Sequence, residues 1–382
     1  MNRKPLQTMI AGLLILLIVS GCSQSPEKIV QPAATSPTPI AETSISTPKP
    51  VSLPLSVPGP YHMGMREYSY EDPSREGRKV GVTIWYPALQ DAGSTSSTSV
   101  RDAKPDLGTA PYPLILSSTK VANFFAPHLA SYGFVVAGIS RQDSADQWDA
   151  WLIDYPLDIV FALNQIASHS PTGLEGVMDA SHAGAMGYSF DGYNALALSG
   201  ARVDPQFYLS QCAKAAAMQP APPTWWVKYI CAVADKWDAF AAHAGSAITA
   251  SQDGLWQPMT DARILAVMPM APEGAWLFGP RGLAAVDRPT LIIDGTEDDI
   301  NIYNLEAAYI YEHLGTPERS MVSFIGKDHM MIYSTDQVAR MSHFAVAFFG
   351  YYLQNRKDSA AYFSKDFVAK YPDLAWGVVS NK

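Results

Sequence analysis

The hexapeptide GYSFDG at residues 187–192 follows a run of small residues, HAGAM at 182–186, and precedes a helix-like stretch at 193–200. This order predicts a strand, a tight turn and a helix, with Ser189 at the turn. Such a turn lifts the hydroxyl above the sheet edge. It also puts the next backbone N–H at a helix N-terminus, where negative charge is stabilised. The stretch therefore predicts an α/β sheet with Ser189 as a candidate nucleophile.

The rest of the chain alternates between short apolar runs and longer amphipathic stretches. Strands are predicted at residues 80–86, 114–116, 134–139, 264–268, 290–293 and 321–325, and helices at 124–132, 147–168 and 335–354. Strands that alternate with helices indicate βαβ units and a mostly parallel central sheet flanked by helices. Residues 204–261 break the alternation. We interpret them as an insert between the nucleophile helix and the next strand, and a lid is one role for it.

The general base is sought among the histidines, because the base follows the nucleophile in chains with this strand-turn-helix arrangement. Of the eight histidines, His243, His313, His329 and His343 follow Ser189. His329 ends the sequence FIGKDH just after a predicted strand, where a loop can bring the imidazole to the turn. His343 lies in the last predicted helix, where a structural role is expected. His329 is therefore the predicted base.

The group that orients the base is expected in the acidic loop after the predicted strand at 290–293. Asp298 stands three residues after Gly295, a spacing that hydrolases with this arrangement commonly show. Its carboxylate is predicted to hold the His329 tautomer and to stabilise the imidazolium that forms during attack. The other acids of the loop remain alternatives, as does a loop that is merely solvated; these acids are Asp294, Glu297 and Asp299.

Three stretches resemble a known family: RKVGVTIWYP at 78–87, LASYGFVVA at 129–137 and GYSFDG at 187–192. They are similar to the platelet-activating factor acetylhydrolase and dienelactone-hydrolase-like branch of the α/β-hydrolases. The resemblance implies an α/β-hydrolase fold from about residue 60 to about residue 355. It also implies hydrolysis of carboxylic esters by a Ser-His-Asp triad without a cofactor. Dienelactone hydrolases use a Cys nucleophile, so Ser189 favours the esterases, lipases and phospholipase-like members.

The chain departs from the family pattern near the expected oxyanion hole. Asp191 replaces the usual glycine of the nucleophile motif, and SSTK at 117–120 replaces a stretch that begins Ser-His-Gly. The resemblance implies two backbone N–H donors for the oxyanion, those of Phe190 and Lys120, and Thr119 in place of glycine alters the second loop. Loss of one donor costs about 10²–10³ in rate, so low activity is one expectation.

The expected position of the acid and of the substrate pocket leaves further alternatives. The platelet-activating factor enzymes carry their acid after the sixth strand, where this chain has Glu273, which is therefore the alternative to Asp298. This departure also weakens the inference, from the family, of a phospholipid substrate.

Four aromatic residues are candidates for an apolar acyl pocket, with ordinary packing as the alternative; they are Trp225, Trp226, Trp276 and Phe278.

The N-terminus reads MNRKPLQTMIAGLLILLIVSGC. Its apolar part at 9–19 follows two basic residues and is too short for a typical membrane span. The sequence VSGC at 19–22 resembles the lipobox of bacterial lipoproteins, which implies removal of residues 1–21 and acylation of Cys22. Several acyl chains hold a protein stably on a membrane, since each buried methylene adds about 0.8 kcal/mol. The alternative is a plain secretory leader with a chance cysteine.

Residues 22–60 are predicted to tether the anchor to a catalytic body at 61–382. The stretch carries nine of the 29 prolines together with many Ser and Thr residues. Such a sequence buries too little apolar surface to order itself, and its prolines keep it extended. A second low-complexity stretch, AGSTSST at 92–98, is predicted to be a surface loop.

The composition excludes several classes of partner. With 48% hydrophobic and 16% charged residues, the chain has the balance of a globular protein with a large core. Its net charge of −9 argues against nucleic acid, which requires clustered Lys and Arg. We find no metal or nucleotide motif and predict neither a metal nor a cofactor.

Cys212 and Cys231 either form a disulfide, as in proteins of an oxidising compartment, or are two buried thiols.

These features predict an exported esterase that is anchored to a membrane, at the cell surface or in the periplasm, and acts on a small-molecule or lipid ester. A polyester or cutinase-like hydrolase is an alternative that nothing in the sequence separates from it. Peptidase or thioesterase chemistry is a weaker alternative, since the same triad serves several acyl groups. A second alternative is a surface lipoprotein that keeps the fold, has lost activity and binds a ligand. The altered oxyanion loop favours that alternative, whereas the order of Ser189, Asp298 and His329 disfavours it.

Overall fold

The computed structural model describes residues 52–90, 99–140 and 148–380 of the chain. The predicted leader, Cys22, most of the predicted tether and the predicted loop at 92–98 lie outside the described residues. No helix in the described part of the chain is both long enough and apolar enough to cross a membrane.

Ten strands form a single sheet with helices on both of its faces. The strands are β1 (His62–Asp72), β2 (Arg78–Ala88), β3 (Ser99–Arg101), β4 (Tyr112–Ser118), β5 (Val135–Ser140), β6 (Met178–Tyr188), β7 (Ile264–Met270), β8 (Thr290–Gly295), β9 (Arg319–Phe324) and β10 (Leu374–Trp376). The helices are α1 (Thr119–Ser131), α2 (Trp148–Ser168), α3 (Phe190–Leu198), α4 (Pro205–Lys214), α5 (Thr224–Ile230), α6 (Trp237–Ala244), α7 (Ser246–Thr249), α8 (Ala275–Leu283), α9 (Ala307–His313), α10 (Thr335–Tyr352) and α11 (Lys365–Val368). Short 3₁₀ helices span Pro73–Arg75, Ala215–Ala217, Ala234–Lys236, His329–Tyr333 and Lys357–Tyr362.

The sheet is mixed and mostly parallel. Its strand order is β10-β9-β8-β7-β6-β4-β5-β2-β1-β3, and the strands from β5 through β4, β6, β7 and β8 to β9 are all parallel. The antiparallel pairs lie toward the edges, where β2 pairs with β5 and with β1, and β10 pairs with β9. Parallel neighbours have their carboxyl ends at one edge of the sheet, and polar side chains that follow them are brought together there. The predicted α/β class is thus confirmed.

Alternating side chains of the central strands explain why both faces carry helices. Ile115 of β4 and Val136 of β5 belong to a buried cluster that includes side chains of α1 and α10. Leu114 and Leu116 of β4 point the other way and belong to a cluster with α2. Because both faces of a parallel strand are buried, such strands read as continuous apolar runs, which is the pattern on which the strands were predicted.

Each of the predicted strands is present, with small shifts in its bounds. The predicted helices at 124–132, 147–168 and 335–354 correspond to α1, α2 and α10. The described residues between α3 and β7 form helices and turns, in agreement with the break in alternation at 204–261. The strands β1, β3 and β10, which lie at or next to the edges of the sheet, were not predicted. Eight of the eleven residues in β1 are exposed or only partly buried, so its apolar pattern is weak.

The packed chain begins before the predicted boundary at residue 61. Leu53 is 1% exposed and belongs to the cluster that includes α1 and α10. The N–H of Leu55 donates to Nδ1 of His343 at 3.0 Å, and the carbonyl of Leu55 lies 2.8 Å from Nε2 of His128. Residues 52–60 therefore belong to the folded body rather than to a tether. Proline content predicted an extended backbone here, whereas the chain turns at residues 53–56, where the Ser56 N–H donates to the Leu53 carbonyl at 3.0 Å.

Candidate active site

Ser189 lies in the turn between β6 and α3, with a backbone conformation that serine rarely adopts. Its φ is 61° and its ψ is −127°. Residues in such sparsely populated conformations persist when the surroundings over-determine them, and they occur preferentially at functional sites. The Ser189 N–H donates to the carbonyl of Met270 at the end of β7 at 3.0 Å, which fixes the turn. A Cβ at Gly187 would lie 1.7 Å from the Asp191 carbonyl oxygen, so the turn requires glycine there.

The structure brings Ser189, His329 and Asp298 together in one hydrogen-bonded chain. Nε2 of His329 lies 2.9 Å from Oγ of Ser189, and Nδ1 of His329 lies 2.7 Å from Oδ2 of Asp298. His329 is 7% exposed and Asp298 is 4% exposed, so water competes little for these bonds. With the proton on Nδ1, Nε2 is free to accept the hydroxyl proton of Ser189.

Asp298 is held by its own loop between β8 and α9. Its Oδ1 atom accepts the N–H groups of Ile300 at 2.9 Å and Asn301 at 2.8 Å, which leaves Oδ2 for His329. The Asn301 amide in turn donates to the carbonyl of Ala271 at 2.7 Å, after β7. Because these hydrogen bonds fix the Asp298 carboxylate, the loop suits Asp298 for orienting a histidine.

His329 begins a short 3₁₀ helix after β9. The hydroxyl of Tyr188, the last residue of β6, donates to the His329 carbonyl at 2.7 Å, and the two rings lie 5.5 Å apart. Burial raises the pKa of Tyr188 far above its usual range, so this hydroxyl keeps its proton and remains a donor. Asp328 caps the 3₁₀ helix by accepting the Met330 N–H at 3.0 Å. The residue before Ser189 thus helps to position the base.

The two predicted oxyanion donors lie at neighbouring helix N-termini. Phe190 is the first residue of α3 and Lys120 is the second residue of α1, and the side chain of Lys120 is exposed. The first N–H groups of a helix have no partner within the helix and are available to an anion. Because α1 follows β4 and α3 follows β6, which are parallel neighbours, both N-termini lie at the same edge of the sheet.

A buried hydrogen bond joins these two helix starts. Oγ of Ser118 donates to Oδ2 of Asp191 at 2.8 Å, and the same oxygen of Ser118 accepts the Val121 N–H at 3.2 Å as the cap of α1. Asp191 also accepts from the Asn194 amide at 3.1 Å. The sequence had singled out both positions as departures from the family pattern. Nothing in the sequence indicated that the two side chains meet.

The two candidate acids have different partners. Asp298 contacts His329, whereas the Glu273 carboxylate accepts from the Tyr229 hydroxyl at 3.0 and 3.2 Å. Tyr229 belongs to α5, so Glu273 contacts the helical segment between α3 and β7. Of the two carboxylates, Asp298 is the one with the geometry of a residue that orients the imidazole.

Two other carboxyl groups are fully buried near the acidic loop. Burial and the Asp298 charge raise the pKa of Asp294, the fifth residue of β8, well above the usual carboxyl range. Burial likewise raises the pKa of Glu306, although its Oε2 atom accepts the Ala275 N–H at 2.9 Å. Asp294 and Glu306 therefore favour the neutral form in the folded protein.

The four aromatic candidates for an acyl pocket divide into one exposed and three buried residues. Trp225 is 51% exposed. Trp226 packs edge-on against Trp276 with ring centroids 4.8 Å apart, and Phe278 stacks on Tyr193 at 5.0 Å. A cavity of about 30 Å³ lies beside α3 and has other walls: Leu152, Tyr193, Tyr208, Tyr229, Ile230, Val233, Glu273, Gly274 and Leu277. Packing in the core therefore explains Trp226, Trp276 and Phe278.

Cys212 and Cys231 form a disulfide in the structure. Cys212 lies in α4 and Cys231 follows α5, so the bond joins the two parts of the segment that also carries Tyr229. Among the described residues, no group of three or more His, Cys, Asp or Glu side chains has an arrangement that could hold a metal ion.

No model of a known protein family matches the chain, and the search of curated proteins finds no match either.

Proposed function

We propose that the chain is a serine hydrolase that cleaves carboxylic esters with Ser189, His329 and Asp298 as its triad. The observation that carries the proposal is the chain of two short hydrogen bonds, 2.9 Å from Ser189 to His329 and 2.7 Å from His329 to Asp298. The strained turn that presents Ser189 between a strand and a helix supports it. The order of nucleophile, acid and base along the chain supports it as well.

The proposed reaction has two steps. In the first, Nε2 of His329 takes the Ser189 proton while Oγ forms a bond to the ester carbonyl carbon, and the imidazolium then gives that proton to the departing alkoxide. In the second, His329 takes a proton from the water molecule that attacks the acyl carbon, and it returns this proton to Oγ of Ser189 as the bond from Oγ to the acyl carbon breaks and the carboxylic acid departs. Asp298 holds the imidazole and stabilises its charged form in both steps.

The negative charge that develops on the carbonyl oxygen needs donors at the edge of the sheet. The N–H groups of Phe190 and Lys120 are the proposed donors, at the starts of α3 and α1. Helix N-termini stabilise negative charge, and donors that are already in place need no reorganisation during the reaction. Both are backbone groups, so the changed side chains at 118, 119 and 191 leave the donors themselves in the chain.

The proposal extends to the fold family and the location. We infer an α/β-hydrolase fold of the branch that the sequence resembles, with the helical segment between α3 and β7 as its insert. We also infer export and a lipid anchor at Cys22, from the VSGC sequence at 19–22. Within the carboxylic esters, the proposal covers small-molecule esters, lipid esters and polyesters alike.

Covalent labelling tests the nucleophile directly. The full chain in detergent is treated with a fluorophosphonate probe and assayed with p-nitrophenyl esters of increasing acyl length, with an amorphous polyester film in parallel. Ser189→Ala is expected to abolish both labelling and turnover. Ser181→Ala is the matched control, since Ser181 is an exposed serine near the other end of β6.

Each outcome of this experiment decides between the candidates. Labelling that depends on Ser189 supports a serine hydrolase, and the preferred substrate separates small esters from polyesters. A folded wild-type protein that neither reacts with the probe nor hydrolyses any ester contradicts the proposal and favours a ligand-binding lipoprotein without activity.

A further inference from the structure

Asp294 is a buried carboxyl group that the proposed mechanism does not use. It lies on β8, has no measurable exposure, and its Oδ1 atom accepts the Gly295 N–H at 2.7 Å. Its Oδ2 atom is also buried and has no donor among the described residues. Asp294 also interacts with the carboxyl group of Asp298, which lies in the loop that follows β8. Two carboxyl groups, which both act as acceptors when they are ionised, thus lie next to each other beside His329, the candidate base.

Two carboxylates in such a contact need a proton between them. Two negative charges a few ångströms apart in a dry interior are strongly destabilising, so one of the two groups becomes neutral. Asp298 accepts three N–H groups, from Ile300, Asn301 and His329, so both of its oxygen atoms already act as acceptors. Asp294 accepts a single N–H group. The proton therefore belongs on Asp294, and the free Oδ2 is the atom that can carry it toward Asp298.

The surroundings of Asp294 agree with a neutral group. The ionisable side chains that act on it are the carboxyls of Asp298 and Glu306, and the phenols of Tyr188 and Tyr303 also sense its charge. None of these four groups carries a positive charge. Burial and the Asp298 charge together raise the pKa of Asp294 well above the usual carboxyl range.

We propose that Asp294 is a positioning residue that keeps a proton on Oδ2 and donates it to Asp298, so that the Asp298 carboxylate is fixed and charged for its bond to His329. The inference rests on the proposed function, since it assigns Asp294 a role in the same site. A hydrogen bond from a neutral acid to a carboxylate is among the strong ones. It adds a fourth fixed donor to a group whose orientation sets the imidazole.

The charge state of Asp294 is tested without any assay of activity. Asn at this position copies a protonated acid, because its amide donates to Asp298 and its oxygen accepts the Gly295 N–H. The wild-type protein holds the Asp294 proton when folded and releases it when unfolded. Its unfolding constant therefore rises by about tenfold per pH unit above the usual carboxyl pKa, about 4, until the raised pKa is reached. Asp294→Asn lacks this contribution.

Thermal unfolding of both proteins from about pH 5 to about pH 8 measures the difference. The stability of Asp294→Asn relative to wild type is expected to increase steadily with pH. A difference that stays constant over this range means that Asp294 is ionised in the folded state, and it overturns the proposal.

The positioning role of Asp294 is tested by measuring the hydrogen bond between His329 and Asp298 and the rate that depends on it. Asp294→Leu keeps the branched shape of the side chain but has no donor. We expect its kcat to fall roughly tenfold to 100-fold with little change in KM, while Asp294→Asn keeps most of the activity. The low-field proton resonance of the His329 Nδ1–H, which is visible by NMR with or without turnover, should persist in the Asn variant and shift in the Leu variant. Glu306→Gln is the control for loss of a buried acid, and it is expected to keep both the activity and the resonance.

The outcomes separate this inference from the proposed function. An Asn variant that loses as much activity as the Leu variant, or a resonance that is identical in wild type and Leu variant, contradicts a donor role for Asp294. If the Leu variant does not fold, the Asn variant and the pH series still decide. If no variant hydrolyses esters but stability and resonance behave as expected, the proposed function fails while the proton on Asp294 stands.

Discussion

Ser118 and Asp191, which both depart from the family pattern, form a hydrogen bond that links the start of α1 to the start of α3. A glycine at position 191 would leave the start of α3 without a side-chain link to α1. With Asp191, the Ser118 hydroxyl donates across this gap at 2.8 Å while it also caps α1. Ser118 and Asp191 are 5% and 2% exposed, and a buried hydrogen bond to a charged group is stronger than an exposed one. The bond therefore fixes the spacing of the two proposed oxyanion donors.

Removal of this bond is predicted to lower the rate of the chemical step. Ser118→Ala should decrease kcat by roughly tenfold to 100-fold with a small change in KM, because oxyanion donors act in the transition state. Asp191→Asn keeps an oxygen that accepts the Ser118 proton, so its loss should be smaller. Steady-state kinetics on a p-nitrophenyl ester give both values. A lower melting temperature at unchanged kcat would show that the bond serves only the fold.

At the scale of elements, the segment from α4 to α7 is held by a disulfide, by a hydrogen bond to Glu273 and by packing in a buried cluster that it shares with α3 and α8. The disulfide joins α4 to the residue after α5, and the Tyr229 hydroxyl of α5 donates to Glu273 before α8. Ring contacts at 5.3 to 5.5 Å join Trp237 and Phe240 of α6 to each other and to Trp256, which follows α7. A crosslink of this kind stabilises the fold mainly by restricting the unfolded chain.

Reduction of the disulfide is predicted to destabilise this segment. Cys212 and Cys231 are 19 residues apart, and a loop near this length is worth about 3 kcal/mol in the chain-entropy account. Denaturant unfolding of the wild type with and without reductant measures the loss. The double variant Cys212→Ser/Cys231→Ser is the control, and reductant should not affect it. Equal unfolding curves for the oxidised and reduced wild type would contradict the prediction.

At the scale of the whole molecule, the buried His343 and the partly buried His128 hold residues 52–60 against the helices α10 and α1. His343 of α10 accepts the Leu55 N–H on Nδ1, so its Nε2 atom donates to the Tyr362 carbonyl at 3.1 Å. His128 of α1 lies with Nε2 at 2.8 Å from the Leu55 carbonyl. One residue is thus held from both sides by helices that belong to the same buried cluster. The position of residues 52–60 depends on the neutral form of His343.

Acid is therefore predicted to destabilise the folded chain through His343. Burial, aided by His128 and Arg340, lowers the pKa of His343 to about 4, against 6.5 for an unperturbed histidine. The unfolded chain binds this proton first, so stability is complete above about pH 6.5 and falls as the pH approaches 4, by at most about 3 kcal/mol. His343→Gln cannot take up the proton and should flatten this part of the profile. Identical pH profiles of melting temperature in both proteins would refute the assignment.

The sequence by itself determined the α/β class and the local elements. Apolar runs at 114–116, 134–139 and 290–293 predicted central strands because strands buried on both faces require continuous apolar residues. The hexapeptide at 187–192 predicted the turn because only a narrow set of residues fits a strand, turn and helix in that order. Both patterns are local, so adjacent residues suffice to reveal them.

The tertiary structure alone decided which side chains meet. Asp298 rather than Glu273 contacts His329, Ser118 meets Asp191 across 73 positions of chain, and Leu55 reaches His343 across 288. These contacts arise because parallel strands bring their carboxyl ends to one edge of the sheet and because helices cover both of its faces. A sequence pattern records the propensity of each stretch but not the distance between two stretches, which only the packing of the whole chain sets.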